Sequence, residues 1–299
     1  MLNAYLEIAR QGRNDWWRYL ISLPAILMIW FILGSIPVLM LMTYVSLDSD
    51  PATSFSGTGF VGVPLTLEFL FTMSSFIPFL VATFLAVRFI HARPLKTLVT
   101  GKAHIRWGRI FAGAGVWFFI AALLAVMEAL LYPGRYVLTF QPGTLLIFAA
   151  FAFILIPIQT SAEEFFFRGY LLQWMGLRLK NIWLLSVLNG FLFFLPHAVN
   201  PEMAANSLLV GLGYFAMGFF LTLITLRDEG IELALGLHAA NNLFATLFAN
   251  YEVTALPSPS MFTIQILDPV YSLASLIAGL IAFYAVFFFI RSGSARHPG

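Results

Sequence analysis

Residues 148–173 read "FAAFAFILIPIQTSAEEFFFRGYLLQ". Apolar sequence runs through almost the whole stretch, yet it carries two adjacent carboxylates, Glu163 and Glu164, and a guanidinium, Arg168. With its flanks the run is longer than the ~20 apolar residues that carry a helix across a bilayer core. It suits a membrane helix better than the short alternating strands of a barrel. The fold therefore follows from the apolar part of this stretch, and the function from its charges.

Composition extends the first reading to the whole chain. Of 299 residues, 60% are hydrophobic and 10% charged, with a mean hydropathy of +0.88. A soluble domain carries about 25% charged residues, so that class is excluded. The chain has no cysteine, which rules out disulfides, thiolate metal sites and a cysteine nucleophile. Hydropathy predicts eight spans, over 19–46, 65–90, 108–131, 144–175, 182–200, 206–226, 232–250 and 267–290. The expected fold is an all-α polytopic membrane helical bundle of about eight transmembrane helices. No repeat, low-complexity tract or linker divides it. Residues 1–299 are read as a single membrane domain, with a motif-bearing four-helix core at 145–250.

Fifteen of the sixteen basic residues fall on one side of these spans, and Arg135 alone falls on the other. The positive-inside rule then places both termini in the cytoplasm. The segments 46–59 and 250–260 are rich in Ser, Thr, Pro and Gly, as exterior loops are. The first twenty residues combine helically spaced apolar positions with Arg and Trp, which predicts an interfacial helix leading into the first span.

An ionisable residue at depth costs about 2.5–3.5 kcal/mol on insertion scales, so each needs a reason. Glu232 opens a span, where the positive end of the helix dipole favours a carboxylate. Glu68 and Glu128 lie near span ends and are expected to reach the interface. His91, His104 and His297 are expected to be solvated. What remains is Glu163, Glu164, Arg168, His197, His238 and Asn242. Glu164 and Arg168 are i and i+4 on one helix face and can pair, whereas Glu163 lies ~100° round the helix without a local partner. Phe193 stands one turn before His197, and Pro196, immediately before the histidine, kinks the span. His238 and Asn242 again share one face at i, i+4. Counted from a turn near Lys180, Glu163 and His197 come to one level. His238 lies only about seven residues inside its span. The hairpin must therefore protrude, tilt or break at Gly169 or Gly176, and the site is expected in the half of the membrane nearer the basic face.

No nucleophile elbow and no zincin motif occurs. A two-histidine, one-carboxylate metal site from Glu163, His197 and His238 stays open. Hydrolysis by an activated water fits better, because an asparagine amide serves as an oxyanion donor more naturally than as a zinc ligand. Glu163–Glu164–x–x–x–Arg168, Phe193–x–x–x–His197 and His238–x–x–x–Asn242, on successive apolar spans, resemble the motifs of the CAAX prenyl protease and bacteriocin-processing family of intramembrane glutamic endopeptidases. The resemblance covers about 145–250. It implies Glu163 as base, His197 as a partner in activating water, His238 and Asn242 as the oxyanion hole, and Glu164, Arg168 and Phe193 in support. It implies no metal or other cofactor. The expected partners are the bilayer and a membrane-anchored or transmembrane peptide, with no nucleic acid. The expected location is a bacterial plasma membrane, spanned several times. Competing readings are a non-enzymatic immunity or scaffold protein, a metal-dependent membrane protease, and a transporter with a buried acid–histidine relay; missing repeat symmetry weighs against the last.

Overall fold

The computed structural model describes residues 3–55 and 59–290. A short helix α1 (Ala4–Glu7) precedes α2 (Trp16–Leu47), and the paired strands β1 (Ser54–Phe55) and β2 (Phe60–Val61) follow. Helices α3 (Leu65–Ser74) and α4 (Phe76–Leu85) continue through a π-helical turn as one rod, Leu65–Ile90. Then come α5 (Trp107–Leu131), β3 (Tyr136–Leu138) and α6 (Pro142–Glu164). A π-helical segment, Phe165–Leu171, joins α6 to α7 (Leu172–Gly176). The chain closes with α8 (Ile182–His197), α9 (Ser207–Asp228), α10 (Glu232–Leu247), β4 (Ala249–Tyr251), β5 (Phe262–Ile264) and α11 (Pro269–Tyr284), which runs on as a π-helical turn.

The chain is an all-α polytopic membrane protein. Among the described residues, six helices are long and apolar enough to cross a bilayer: Trp16–Leu47, Leu65–Ile90, Trp107–Leu131, Pro142–Gly176, Ser207–Asp228 and Pro269–Phe289. Two of the expected spans are shorter than the hydropathy suggested. Helices α8 and α10 have 16 residues each, about 24 Å at 1.5 Å per residue, against a core of ~30 Å. A 3₁₀ turn at Pro201–Ala204 and the strand β4 take over where their helical runs stop. Helix α10 lies inside the bundle, with Leu233, Ala234 and Leu237 fully buried.

Backbone contact is close where α10 crosses α5. A Cβ on Gly236 would lie 2.0 Å from the Ile110 carbonyl oxygen, so only glycine admits this approach. Helices α8 and α9 meet in the same way, with Gly218 against Phe193.

The two ends of the bundle differ in kind. At one end α1, the segment 91–106 and the α9–α10 turn interlock. The Tyr5 hydroxyl lies 2.6 Å from the Leu98 carbonyl oxygen, Lys180 donates to Glu7 at 2.6 Å, and Lys102 pairs with Glu229. At the other end a three-stranded sheet, in the order β3–β5–β4, ties together the connections after α5, α10 and before α11. Strand β3 is antiparallel to β5 and β4 parallel to it. Twelve described basic residues gather at the first end, and Arg135 lies at the second. Arg168, which the charge count grouped with the basic side, is instead fully enclosed in the interior. Arg291, Arg296 and His297 lie outside the described residues.

Three expectations drawn from local sequence give way to tertiary packing. His91 is 1% exposed rather than solvated, because Tyr19, Ser22, Tyr170 and the Arg13 carbonyl surround it. Burial pushes its imidazole down to about 4. Exposed His104 is as expected. Glu68 and Glu128 are buried rather than interfacial; Glu128 accepts hydrogen bonds from Arg135 and the Tyr136 hydroxyl, each at 2.8 Å. The N-terminal segment is a four-residue helix and a 3₁₀ turn packed onto the bundle rather than one helix leading into the first span. Tyr5, Leu6 and Ala9 are buried, and Leu6 packs against Gly176. Glu232 does open α10, and Arg106 holds it with two side-chain hydrogen bonds of 3.0 and 2.8 Å.

Candidate active site

The rod from Pro142 to Gly176 has 35 residues, about 52 Å of helix, far more than the bilayer core needs. It neither breaks at Gly169 nor ends there. It runs on through the π-helical segment, and its far end meets α1, with Gly176 against Leu6 and Gln173 donating to the Tyr5 carbonyl at 3.2 Å. A π-helical turn carries one residue more than an α-turn and re-aims the side chains beside it. Asn189 of α8 donates to the Phe167 carbonyl within that segment at 2.7 Å, and Thr222 of α9 donates to Asn189 at 3.0 Å. These bonds fix the helix directly below the two glutamates.

Glu164 and Arg168 pair as their spacing predicted. Arg168 Nη1 donates to Glu164 Oε1 at 2.9 Å, and its Nη2 donates to the Gly218 carbonyl at 3.1 Å. Both side chains are fully buried. The ring of Phe193 lies 4.4 Å from the guanidinium carbon, within cation–π range. His238 joins the same carboxylate, with Nδ1 2.8 Å from Glu164 Oε1. A carboxylate held by arginine can only accept, so Nδ1 carries the proton there. The other nitrogen, Nε2, then faces Glu163, 3.6 Å from Oε2.

Glu163 stands differently. Its Oε1 accepts from Gln159 Nε2 at 2.7 Å, while the buried Oε2 has no hydrogen-bond partner. Behind it runs a chain of amides whose direction is fixed at both ends. The Trp117 indole N–H, which can only donate, gives to Asn241 Oδ1 at 3.2 Å. Asn241 gives to Asn242 at 3.1 Å, Asn242 to Gln159 at 3.0 Å, and Gln159 to Glu163. Each amide can take only one orientation in that chain, and Asn242 keeps its second N–H free of it.

His197 closes the ring from α8. Its Nδ1 lies 2.7 Å from the Phe193 carbonyl oxygen, so the proton sits on Nδ1 and Nε2 is an acceptor in the neutral ring. Tyr214 of α9 lies against the imidazole, ring centroids 4.5 Å apart. The Tyr214 hydroxyl accepts from Asn200 at 2.8 Å and donates to Glu202, whose other oxygen accepts the Ala255 N–H at 2.9 Å.

Glu163, His197, His238, Asn242, Phe193 and Gln159 all line one cavity of about 520 Å³, within the ~300–1,000 Å³ usual for ligand sites. Glu164 and Arg168 stand behind its wall. The structure thus brings together every residue the motifs nominated. Sequence reading missed Gln159, Trp117, Asn241 and Tyr214. Gln159 carried a signal, being one turn before Glu163; the other three act across elements and carried none. The direction in which the site opens was not legible in the sequence. The cavity does not reach the basic end but rises from Glu163 to Glu202, Tyr251 and Thr254 at the opposite end.

A family model described as type II CAAX prenyl endopeptidase Rce1-like matches residues 142–244, the stretch that holds Glu163, Glu164, Arg168, Phe193, His197, His238 and Asn242. Over 281 residues, 92% of either chain, the sequence is also 32% identical to the uncharacterized protein YyaK of Bacillus subtilis (strain 168). The chain belongs to the Rce1-like family. That family is one of CAAX-type membrane proteases, and the apolar helices make this member an integral membrane protein. The Rce1-like match begins at the first residue of α6 and ends within α10.

Proposed function

We propose that the chain hydrolyses a peptide bond of a membrane-associated protein or peptide inside this cavity, with Glu163 as general base. The observation that carries the reading is the division of labour between the carboxylates. Glu164 is bound by Arg168 and His238 behind the wall, while Glu163 lines the cavity, its Oε2 without a hydrogen-bond partner and 3.6 Å from His238 Nε2. In the proposed step Glu163 Oε2 removes a proton from a water as its oxygen bonds to the scissile carbonyl carbon. His197 Nε2 accepts a hydrogen bond from the same water. The carbonyl π pair moves onto oxygen, where His238 Nε2–H and the second amide N–H of Asn242 stabilise it. Glu163 then passes its proton to the leaving nitrogen as the C–N bond breaks and the carbonyl re-forms, giving an amine and a carboxylic acid from one water.

His238 donates from both nitrogens in this scheme, so it acts as an imidazolium. Together with Arg168 it would then balance the charge of the two carboxylates. General-base catalysis is worth about 10²–10⁴-fold, and one oxyanion donor about 10²–10³-fold. The step as written uses no metal ion. The basic end, by the positive-inside rule, faces the cytoplasm, and the Bacillus relative supports a bacterial plasma membrane as the location.

The test is direct. Full-length protein reconstituted in vesicles is given lipid-anchored peptides, and the products are read by mass spectrometry beside Glu163→Ala. New termini that appear with the native chain and vanish with the variant are expected. No cleavage by either protein, or equal cleavage by both, counts against the reading.

A further inference from the structure

Resting on the endopeptidase reading, we infer that this site is served from the base-poor face, and that its substrate is an internal, apolar, neutral or cationic peptide segment rather than a free C-terminal carboxylate.

The cavity walls give the direction. Its floor is Glu163, Phe167 and His238. From there one wall climbs α9 through Met217, Gly213 and Leu209, away from the basic end, and the rim is built by Glu202, Tyr251 and Thr254. Below the floor the interior is filled. Arg168 and Phe193 are at most 1% exposed, Tyr170 is 1% exposed, and Tyr5 of α1 seals the basic end at 0%. A peptide reaching Glu163 from the basic face would have to displace this core. One approaching from the other face, or from the bilayer on that side, meets an existing space.

Charge gives the substrate class. Among the described residues lining the cavity there is no lysine or arginine; the acids are Glu163 at the floor and Glu202 at the rim. Arg168 is spent on Glu164 and the Gly218 carbonyl, enclosed behind Phe193. A substrate carboxylate beside the scissile bond would thus sit near Glu163 with no guanidinium to receive it, His238 being held between Glu163 and Glu164, which costs free energy in a low dielectric. The surrounding end of the bundle repeats the bias. Asp48, Asp50, Glu68, Glu128, Glu202, Glu252 and Asp268 face a single basic residue, Arg135. Such a field raises the local concentration of cationic segments. The apolar walls supply the rest of the binding by removing apolar side chains from water.

The chain holds no cysteine, which makes a labelling experiment clean. Gly213→Cys is suited to it, since a Cβ there meets only Leu276, at 3.8 Å; Lys102→Cys marks the basic end. In right-side-out membrane vesicles a membrane-impermeant maleimide is expected to modify Gly213→Cys and spare Lys102→Cys, and in inverted vesicles the pattern reverses. Labelling of Gly213→Cys from inverted vesicles alone overturns the direction of access. The substrate class is read with synthetic peptides sharing one apolar centre, flanked by Lys or by Glu and ending in an amide or a free carboxylate. Lys-flanked amides are expected to be cut at internal bonds at least tenfold faster than Glu-flanked acids, and Glu202→Gln is expected to narrow that gap. Equal rates, or a preference for the free carboxylate, overturn the class. If no peptide is cut while Gly213→Cys still labels from right-side-out vesicles, the endopeptidase reading fails together with the substrate class, and the direction of access stands.

Discussion

Glu163 and Glu164 are neighbours in the chain, but α6 turns them ~100° apart, and that rotation gives one a wall of partners and the other a cavity. The pairing of Glu164 with Arg168 was legible in the sequence because i, i+4 is a property of one helix. The bond from His238 to Glu164 was not, since it depends on how α10 seats against α6. Glu164→Gln leaves Arg168 buried without its counter-charge, which costs about 3–5 kcal/mol. A lower melting temperature in detergent is expected, partly restored when Arg168→Met is added; a variant as stable as the native chain would refute the structural role. Asn242→Ala removes an oxyanion donor and is expected to lower kcat by about 10²–10³-fold with little change in melting. Unchanged turnover would remove Asn242 from the mechanism. Trp117→Phe reaches the same centre from farther away, because it frees the Asn241 amide to turn and loosens the donor chain to Glu163. A fall in kcat of up to about tenfold, the scale of one net hydrogen bond, with KM nearly unchanged, is expected from steady-state kinetics.

At the scale of elements, hydropathy located the six helices long and apolar enough to cross a bilayer and the shorter apolar helix α8, because membrane insertion is read along one dimension of the chain. It overestimated α8 and α10, since the residues after His197 and Leu247 are apolar enough to continue a helix but enter a 3₁₀ turn and a strand. It also misjudged the N-terminal segment, whose apolar face covers the basic end of the bundle instead of lipid. His91 is buried by that arrangement, and its imidazole pKa falls from about 6.5 to about 4. The sign follows from linkage. A group with a depressed folded-state pKa favours the unfolded state once it is protonated there. Stability is therefore complete above about pH 6.5 and lost as pH falls towards about 4, by an amount on the order of 3 kcal/mol for a shift of this size. Thermal melting between pH 7.5 and 4.5 measures it. His91→Gln is expected to flatten the dependence, and an equally steep curve in that variant would place the effect elsewhere.

Over the whole molecule the asymmetry of charge and the asymmetry of the cavity run in opposite directions. Basic residues, the N-terminal segment and the filled interior occupy one end, while the cavity, the small sheet and the surplus of acids occupy the other. The sequence displayed the charge asymmetry openly. Counting residues from the turn near Lys180 did bring Glu163 and His197 to one level, yet it gave no sign of the end towards which their cavity opens. That direction is set by how the helices around the cavity pack together, and no single span records it.

The central claim is that the two adjacent glutamates have separate tasks, one chemical and one structural. It is tested by measuring peptide cleavage and thermal stability of Glu163→Gln and Glu164→Gln side by side, in the same vesicles and against the native chain. The account predicts that Glu163→Gln melts like the native chain and loses at least 10²–10⁴-fold in turnover, while Glu164→Gln shows the large loss of stability. A stable, inactive Glu164→Gln beside a Glu163→Gln that still turns over would contradict it.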